Sequence, residues 1–212
     1  MITLREFTTD DKGQIEPIAV LHKSAFPDFF LTQLGIPFLK TLYRGYLEDD
    51  CSGIIAAMQG DSLVGFLAYS NDYPRFFKNL IKRYLLKFAF CSLGAAIRHP
   101  SFVRPLFGAF KKSEEVTKDD AYVELSSICV DPELARSGIG TELIDCLKHK
   151  VDFNTFTYIS LETDASNNEP ANCFYKKNGF VLARQYRTSG GRLMNEYHFS
   201  QNLEDGGRRC EC

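Results

Sequence analysis

The sequence predicts an α+β domain, a mixed and mostly antiparallel twisted sheet with helices on both faces. Segments that alternate with a two-residue period and segments with helical spacing follow one another along most of the chain. Two pairs of strands are joined by turn signals, Gly60-Asp61 and Ser189-Gly190-Gly191, and read as hairpins. Between the hairpins, a run rich in β-formers passes through a glycine loop directly into an amphipathic helix.

The elements follow in order. Ile2 to Phe7 alternates as a first strand, and Asp10-Asp11 stands near the start of the helix that follows. Ile36 to Leu47 carries Phe38, Leu39, Leu42, Tyr43 and Tyr46 at helical spacing, with Pro37 suited to a first turn. Gly53 to Gln59 and Leu63 to Tyr69 make the first hairpin. Strand 122–130, helix 139–150, strand 157–162 and helix 170–178 come next. Val181 to Arg187 and Leu193 to Phe199 form the second hairpin. Residues 1–203 read as one domain, with a helical insertion at about 73–113 and a flexible tail at 204–212.

The segment from Val130 to Ile144 carries the strongest local chemistry. Asp131-Pro132 ends the strand, and Gly138-x-Gly140 opens the helix. Glycine lets a backbone approach a ligand closely, and the first turn of a helix has unpaired N–H groups and a partial positive charge. Strand, glycine loop and helix N-terminus together make an anion cradle, although a lone G-x-G equally describes a tight turn. Downstream, Ser160 to Phe180 reads as a strand, a polar loop and a second helix, with Asn168 at its N-cap, Pro170 in its first turn and Gly179 at its stop.

These two segments resemble the acyl-CoA-binding half of the GNAT superfamily of N-acetyltransferases. The second family pattern, N-x-x-A-x-x-[LF]-Y-x-[KR]-x-G-F, is met by Asn168, Ala171, Phe174, Tyr175, Lys177, Gly179 and Phe180. The first is met at Val130, Pro132, Gly138 and Gly140, and departs where Gln or Arg is usual, since Ala135 stands there beside Arg136. The resemblance implies that parallel strands 122–130 and 157–162 splay apart and admit acetyl-CoA as co-substrate. Its pyrophosphate would lie on Arg136, Ser137, Gly138, Ile139, Gly140 and Thr141. Main-chain groups of Ile128, Cys129 and Val130 would meet the pantetheine and the thioester carbonyl, and Asn168 the CoA arm. Tyr175 would be the general acid for the leaving thiolate. For the base two carboxylates compete, Glu124 and Glu162, beside a water relay with no single base. No metal is implied.

Composition sets outer bounds. A chain of 212 residues with 44% apolar content suits a soluble globular protein. No apolar run reaches the roughly 18 residues of a membrane span, and Met-Ile-Thr-Leu-Arg-Glu is no signal peptide. Seven scattered cysteines, an odd number, read as reduced core residues of a cytoplasmic protein; Cys210-Glu-Cys212 reads as a frayed end rather than a metal site.

Residues 75–112 hold nine of the chain's 25 Lys and Arg, none of its 27 Asp and Glu, and eight aromatics. One reading is a helical pair, about 75–98 and 101–112, whose aromatic stripe packs on the domain or on a second subunit in a homodimer. Another is a lid for an anionic acceptor such as a nucleotide-linked amino sugar, or a membrane-surface contact. No nucleic-acid motif accompanies the charge, so none is expected as partner. The resemblance implies acetyl transfer to a primary amine; the basic insertion, which suggests a covered site, favours a small and anionic or amino-sugar acceptor, with residues 25–34 as the opposite wall. The alternatives are a protein N-terminal or lysine acetyltransferase and a non-catalytic acyl-CoA sensor.

Overall fold

The computed structural model describes residues 1–98, 121–188 and 190–201. The expected helix over 101–112, the 204–212 tail and the Cys210 and Cys212 pair lie outside them. In chain order the elements are β1 (Ile2–Glu6), a 3-10 turn (Thr9–Gln14), α1 (Ile15–Ala25), α2 (Phe30–Gln33), α3 (Ile36–Glu48), β2 (Ser52–Gln59), β3 (Ser62–Ser70) and α4 (Tyr73–Arg98). They continue with β4 (Tyr122–Val130), α5 (Ile139–Lys150), β5 (Tyr158–Asp164), α6 (Glu169–Lys177), β6 (Val181–Arg187) and β7 (Leu193–Phe199). Among the described residues the strands form one sheet in the order β1-β2-β3-β4-β5-β7-β6, with β4 and β5 its parallel pair.

Two apolar layers hold the helices to the sheet. Ile18, Phe38, Leu39, Tyr43, Phe76 and Phe88 bring α1, α3 and α4 onto one face, against Ile54, Ala56, Phe66 and Cys129. Ile139, Leu143, Ile144 and Leu147 seat α5 on the other face, against Ile55, Leu67, Val123 and Leu161. Strand alternation explains the split, because neighbouring residues such as Ile54 and Ile55 face opposite ways.

The mixed α+β architecture agrees with expectation, and four local readings need correction. Asp11 does not start α1. It closes a capping box with Thr8 on the preceding 3-10 turn and pairs with Arg5 at 2.7 Å. The one-turn helix α2 is too short to show a 3.6-residue period. The fifth strand runs two residues beyond Glu162, because Thr163 and Asp164 pair with Asn195 and Met194. Of the described cysteines, all reduced, only Cys129 is fully buried; Cys51, Cys91, Cys146 and Cys173 are half-buried.

The parallel pair positions the site. It has three registered positions, Tyr122 with Tyr158, Val123 with Ile159 and Glu124 with Ser160. Beyond these β4 stays with β3 and β5 with β7, so the strands part. A bulge lies at the parting point, since Leu125 and Ser127 face Tyr69 and Ala68 while Ser126 has no counterpart on β3. Such an insertion bends a strand and shifts its phase by one residue. Val123 and Leu125 before the bulge, and Ile128 and Val130 after it, accordingly all pack on the α5 side.

Candidate active site

The glycine loop takes its shape from two left-handed residues, Arg136 at φ 65° and Gly138 at φ 93°. Gly138 is the N-cap of α5 and makes no side-chain cap. The first helical bond recorded across this end is Glu142 N–H to the Gly138 carbonyl, at 3.0 Å. The N–H groups of Ile139, Gly140 and Thr141 ahead of it have no intrahelical acceptor and point out of the helix end. Arg136, Ser137, Gly138 and Thr141 are exposed, while the Ile139 side chain is 1% exposed and contributes only main chain. Gly140 has a packing reason as well. A Cβ there would meet Phe174 Cζ at 3.0 Å, so its absence lets α6 close on α5.

The gap between β4 and β5 is lined by backbone on the β4 side. Asp131 N–H donates to the Val64 carbonyl on β3, at 2.9 Å. Backbone direction alternates along a strand, which turns the N–H of Val130 and of Ile128 the other way, into the gap. Both side chains are half-buried against the α5 core. Cys129 points to the opposite face and is buried.

Helix α6 brings Tyr175 to the gap. Its ring is half-buried, 6.1 Å from Tyr197 and 6.0 Å from Phe180 between centroids. Burial pushes its phenol well above the ordinary value, and the nearby Cys129 thiol adds to this. The group therefore keeps its proton through neutral pH. Asn168 stands at the N-cap position but does not cap. At φ −142° and ψ 37° its side chain turns to donate to Thr163 Oγ1, at 2.7 Å. Asn172, which sequence reasoning missed, ties α6 down instead. Its Nδ2 donates to the Asp164 and Asn168 carbonyls, and its Oδ1 accepts from Asn195 Nδ2 and Tyr197 Oη, at 2.7 and 2.9 Å. Tyr175 follows it three residues later, on the same helical face.

Glu124 and Glu162 lie on the sheet face opposite α5, one on each side of the gap. Strand parity puts Ser160, Glu162, Glu196 and His198 there together, since Glu162 pairs with Glu196 and Ser160 with His198. Burial raises the phenols of Tyr46, Tyr73 and Tyr122, and the Glu124 carboxylate close by raises each further. Glu162 acts on Tyr73 as well, and accepts a hydrogen bond from Tyr186. Both candidate bases thus act on Tyr73, the first residue of α4. Glu196, also missed, is a third carboxylate here. It is 2% exposed and held by Arg184 Nε at 2.5 Å and His198 Nε2 at 2.8 Å.

Over its described half the insertion packs its aromatic stripe on the domain, as the first of the two readings has it. Phe76, Leu80, Tyr84 and Phe88 of α4 are buried, with the Phe76 ring tilted 4.3 Å from Tyr46 and that of Phe88 4.8 Å from Phe38. Arg75, Lys78, Lys82, Arg83 and Lys87 are exposed on the outer side, two of them paired with Asp50 and Glu48. At the α3–β2 turn, Asp49, Asp50 and Cys51 bring ligand atoms within 4.8 Å of one another, and Asn79 and Arg75 already engage the two carboxylates.

A helix end with uncapped donors, a parted parallel pair with N–H groups turned inward and a protonated phenol at the gap suit an acyl-CoA thioester. The sequence profile of the acetyltransferase (GNAT) family matches residues 15–180, most of the chain. The chain belongs to the GNAT family. Solved GNAT structures share its fold. An N-acetyltransferase from Staphylococcus aureus Mu50 is 14% identical, with a TM-score of 0.59, covering 94% of this chain and 98% of that one. NAA60 of Arabidopsis thaliana, in complex with acetyl-CoA, is 16% identical with a TM-score of 0.57, covering 95% and 99%. A polyamine N-acetyltransferase of Drosophila melanogaster is 13% identical with a TM-score of 0.58, covering 94% and 100%. At these identities the likeness is one of fold. No curated protein matches the chain by sequence. As a GNAT member it is an acetyl-CoA-dependent N-acetyltransferase. Among the described residues no helix is long and apolar enough to cross a membrane.

Proposed function

We propose that this acetyltransferase takes a small primary amine, bound as its ammonium on the acidic, tyrosine-lined face between Glu124 and Glu162. Arg136, Ser137, Gly138, Ile139, Gly140 and Thr141 hold the CoA pyrophosphate, chiefly through main chain. The pantetheine runs along Ile128, Cys129 and Val130, and the N–H groups directed into the gap polarise the thioester carbonyl.

Alkyl amines have pKa values of about 10, so a base must take one proton before attack. Glu162 is the better placed of the two carboxylates. Glu124 is level with Ser160, which sets Glu162 two residues, about 7 Å, further along the shared strand direction towards Ile128 and Val130. Glu162 takes the proton directly or through one water, and Glu124, deeper and beside Tyr73, holds the positive charge. The amine lone pair then attacks the carbonyl carbon. A C–N bond forms, the C–S bond breaks, and Tyr175 donates its proton to the departing sulfur. Ammonium and thioester become amide, thiol and one free proton.

The observation that carries this reading is that Glu124 and Glu162 stand on one sheet face, one on each side of the gap, among the phenols of Tyr46, Tyr73 and Tyr122. It favours a cationic acceptor over the anionic one suggested by the basic insertion, whose described lysines and arginines are on the outer side. Glu162→Gln is the test. At pH 7 its turnover drops about a hundredfold and recovers as pH approaches the amine's own pKa of about 10. A flat loss at all pH values, or none, removes Glu162 as the base.

A further inference from the structure

Helix α4 turns an apolar edge away from the core. Leu86 and Phe90 are 84% and 81% exposed, although Phe76, Leu80, Tyr84 and Phe88 of the same helix fill its core-facing side. A lone exposed leucine is common on a soluble protein, but these two are one turn apart and have apolar company. They form one rim of a groove of about 660 Å3 between α3 and α4, whose other wall includes Ile36 and Pro37.

Cations surround this edge. Lys78, Lys82, Leu86 and Phe90 succeed one another at four-residue intervals along one ridge of the helix, with Arg83 and Lys87 beside them. Lys40, Arg44 and Lys87 line the groove itself. Its one carboxylate, Glu16, is already paired with Lys40 at 3.0 Å. The Arg44 Nε is buried without a hydrogen-bond partner, and among the described residues neither Arg44 nor Lys87 pairs with a carboxylate. An apolar edge set in uncompensated positive charge fits a partner that is anionic at its surface and apolar beneath. A second copy would bring the same cations together across a two-fold axis. A folded partner would need sockets for two side chains that project almost whole, whereas fluid acyl chains take them without a shape match.

We propose that α4 docks this protein on anionic phospholipid bilayers, with Leu86 and Phe90 in the outer acyl layer and Arg44, Lys82 and Lys87 at the lipid phosphates. The chain has no tryptophan, so Phe90→Trp supplies a single fluorescent reporter. With vesicles of phosphatidylcholine and phosphatidylserine, the emission of this variant is expected to shift to the blue and to be quenched by bromine-labelled acyl chains. With phosphatidylcholine alone it does neither. In co-sedimentation of the full chain with the anionic vesicles, Leu86→Ser combined with Phe90→Ser weakens binding about tenfold or more. Lys82→Gln combined with Lys87→Gln weakens it roughly twentyfold, and added salt weakens the wild type in the same sense. All four positions are exposed, and both double variants keep the wild-type circular dichroism spectrum. Binding to phosphatidylcholine as tight as to the anionic vesicles, or no binding to either, overturns the proposal. So does a wild-type dimer in sedimentation equilibrium that Leu86→Ser with Phe90→Ser renders monomeric, since the edge would then belong to a second copy.

Discussion

Tyr175 shows how surroundings set the chemistry of one residue. A solvent-exposed phenol is already protonated at neutral pH; burial and the Cys129 thiol make it more firmly so, at the point where the strands part. Tyr175→Phe is expected to lower turnover about a hundredfold while changing the acetyl-CoA dissociation constant by less than about twofold, as calorimetry and thiol release would record. Equal loss in both would make the ring, not the hydroxyl, the useful part. His22 gives a second residue-scale expectation. Burial lowers its pKa to about 4, below an ordinary 6.5, so the unfolded chain binds a proton in that interval that the native state refuses. Stability present above pH 6.5 is therefore lost as pH falls towards 4, by about 3 kcal/mol. Chemical denaturation between those pH values measures it, and a flat profile contradicts it. The positions of Tyr175 on α6, Glu124 on β4 and Glu162 on β5 were legible in the sequence, because the family resemblance and the strand pattern place them. Asn172, Glu196 and His22 were not, because a buried polar residue is explained only by partners from distant elements such as Tyr43, Arg184 and Asn195.

At the scale of elements, β4, α5, β6 and β7 were legible to the residue, since their periodicities are long and their ends carry Pro132, Gly138 and the Gly190-Gly191 turn. The bulge at Ser126 was not, because nothing in Leu125-Ser126-Ser127-Ile128 distinguishes a skipped register from continuous alternation. The two loop glycines also separate only in three dimensions. Gly138 is needed for its positive φ with open space around it, Gly140 for its contact with Phe174. Gly138→Ala is thus expected to cost about 1–2 kcal/mol through the left-handed backbone, and to weaken acetyl-CoA binding by distorting the helix end. Denaturant unfolding and calorimetry on the same variant check both. Unchanged stability would mean the loop readily takes another conformation.

The whole molecule divides its charge. Basic side chains of α4 stand on the outer side, whereas Glu124, Glu162 and Glu196 gather with tyrosines at the parted strands. Under the proposed function a cationic acceptor is drawn to that inner field, and the outer lysines are bystanders to it. Combined reversal of Lys78, Lys82 and Lys87 to Glu should leave the acceptor Michaelis constant within about twofold at physiological salt. A large rise would restore the anionic acceptor that the insertion's composition suggests.

In the proposed reaction the parted strands and Tyr175 transfer acetyl to an amine from acetyl-CoA. The most direct measurement is release of free CoA thiol by the wild-type protein, with saturating acetyl-CoA, across a panel of mono- and diamines, amino sugars and peptides. Release that depends on the added amine, fastest for small cationic amines, is the result expected. Binding of acetyl-CoA without amine-dependent release from any member would contradict it.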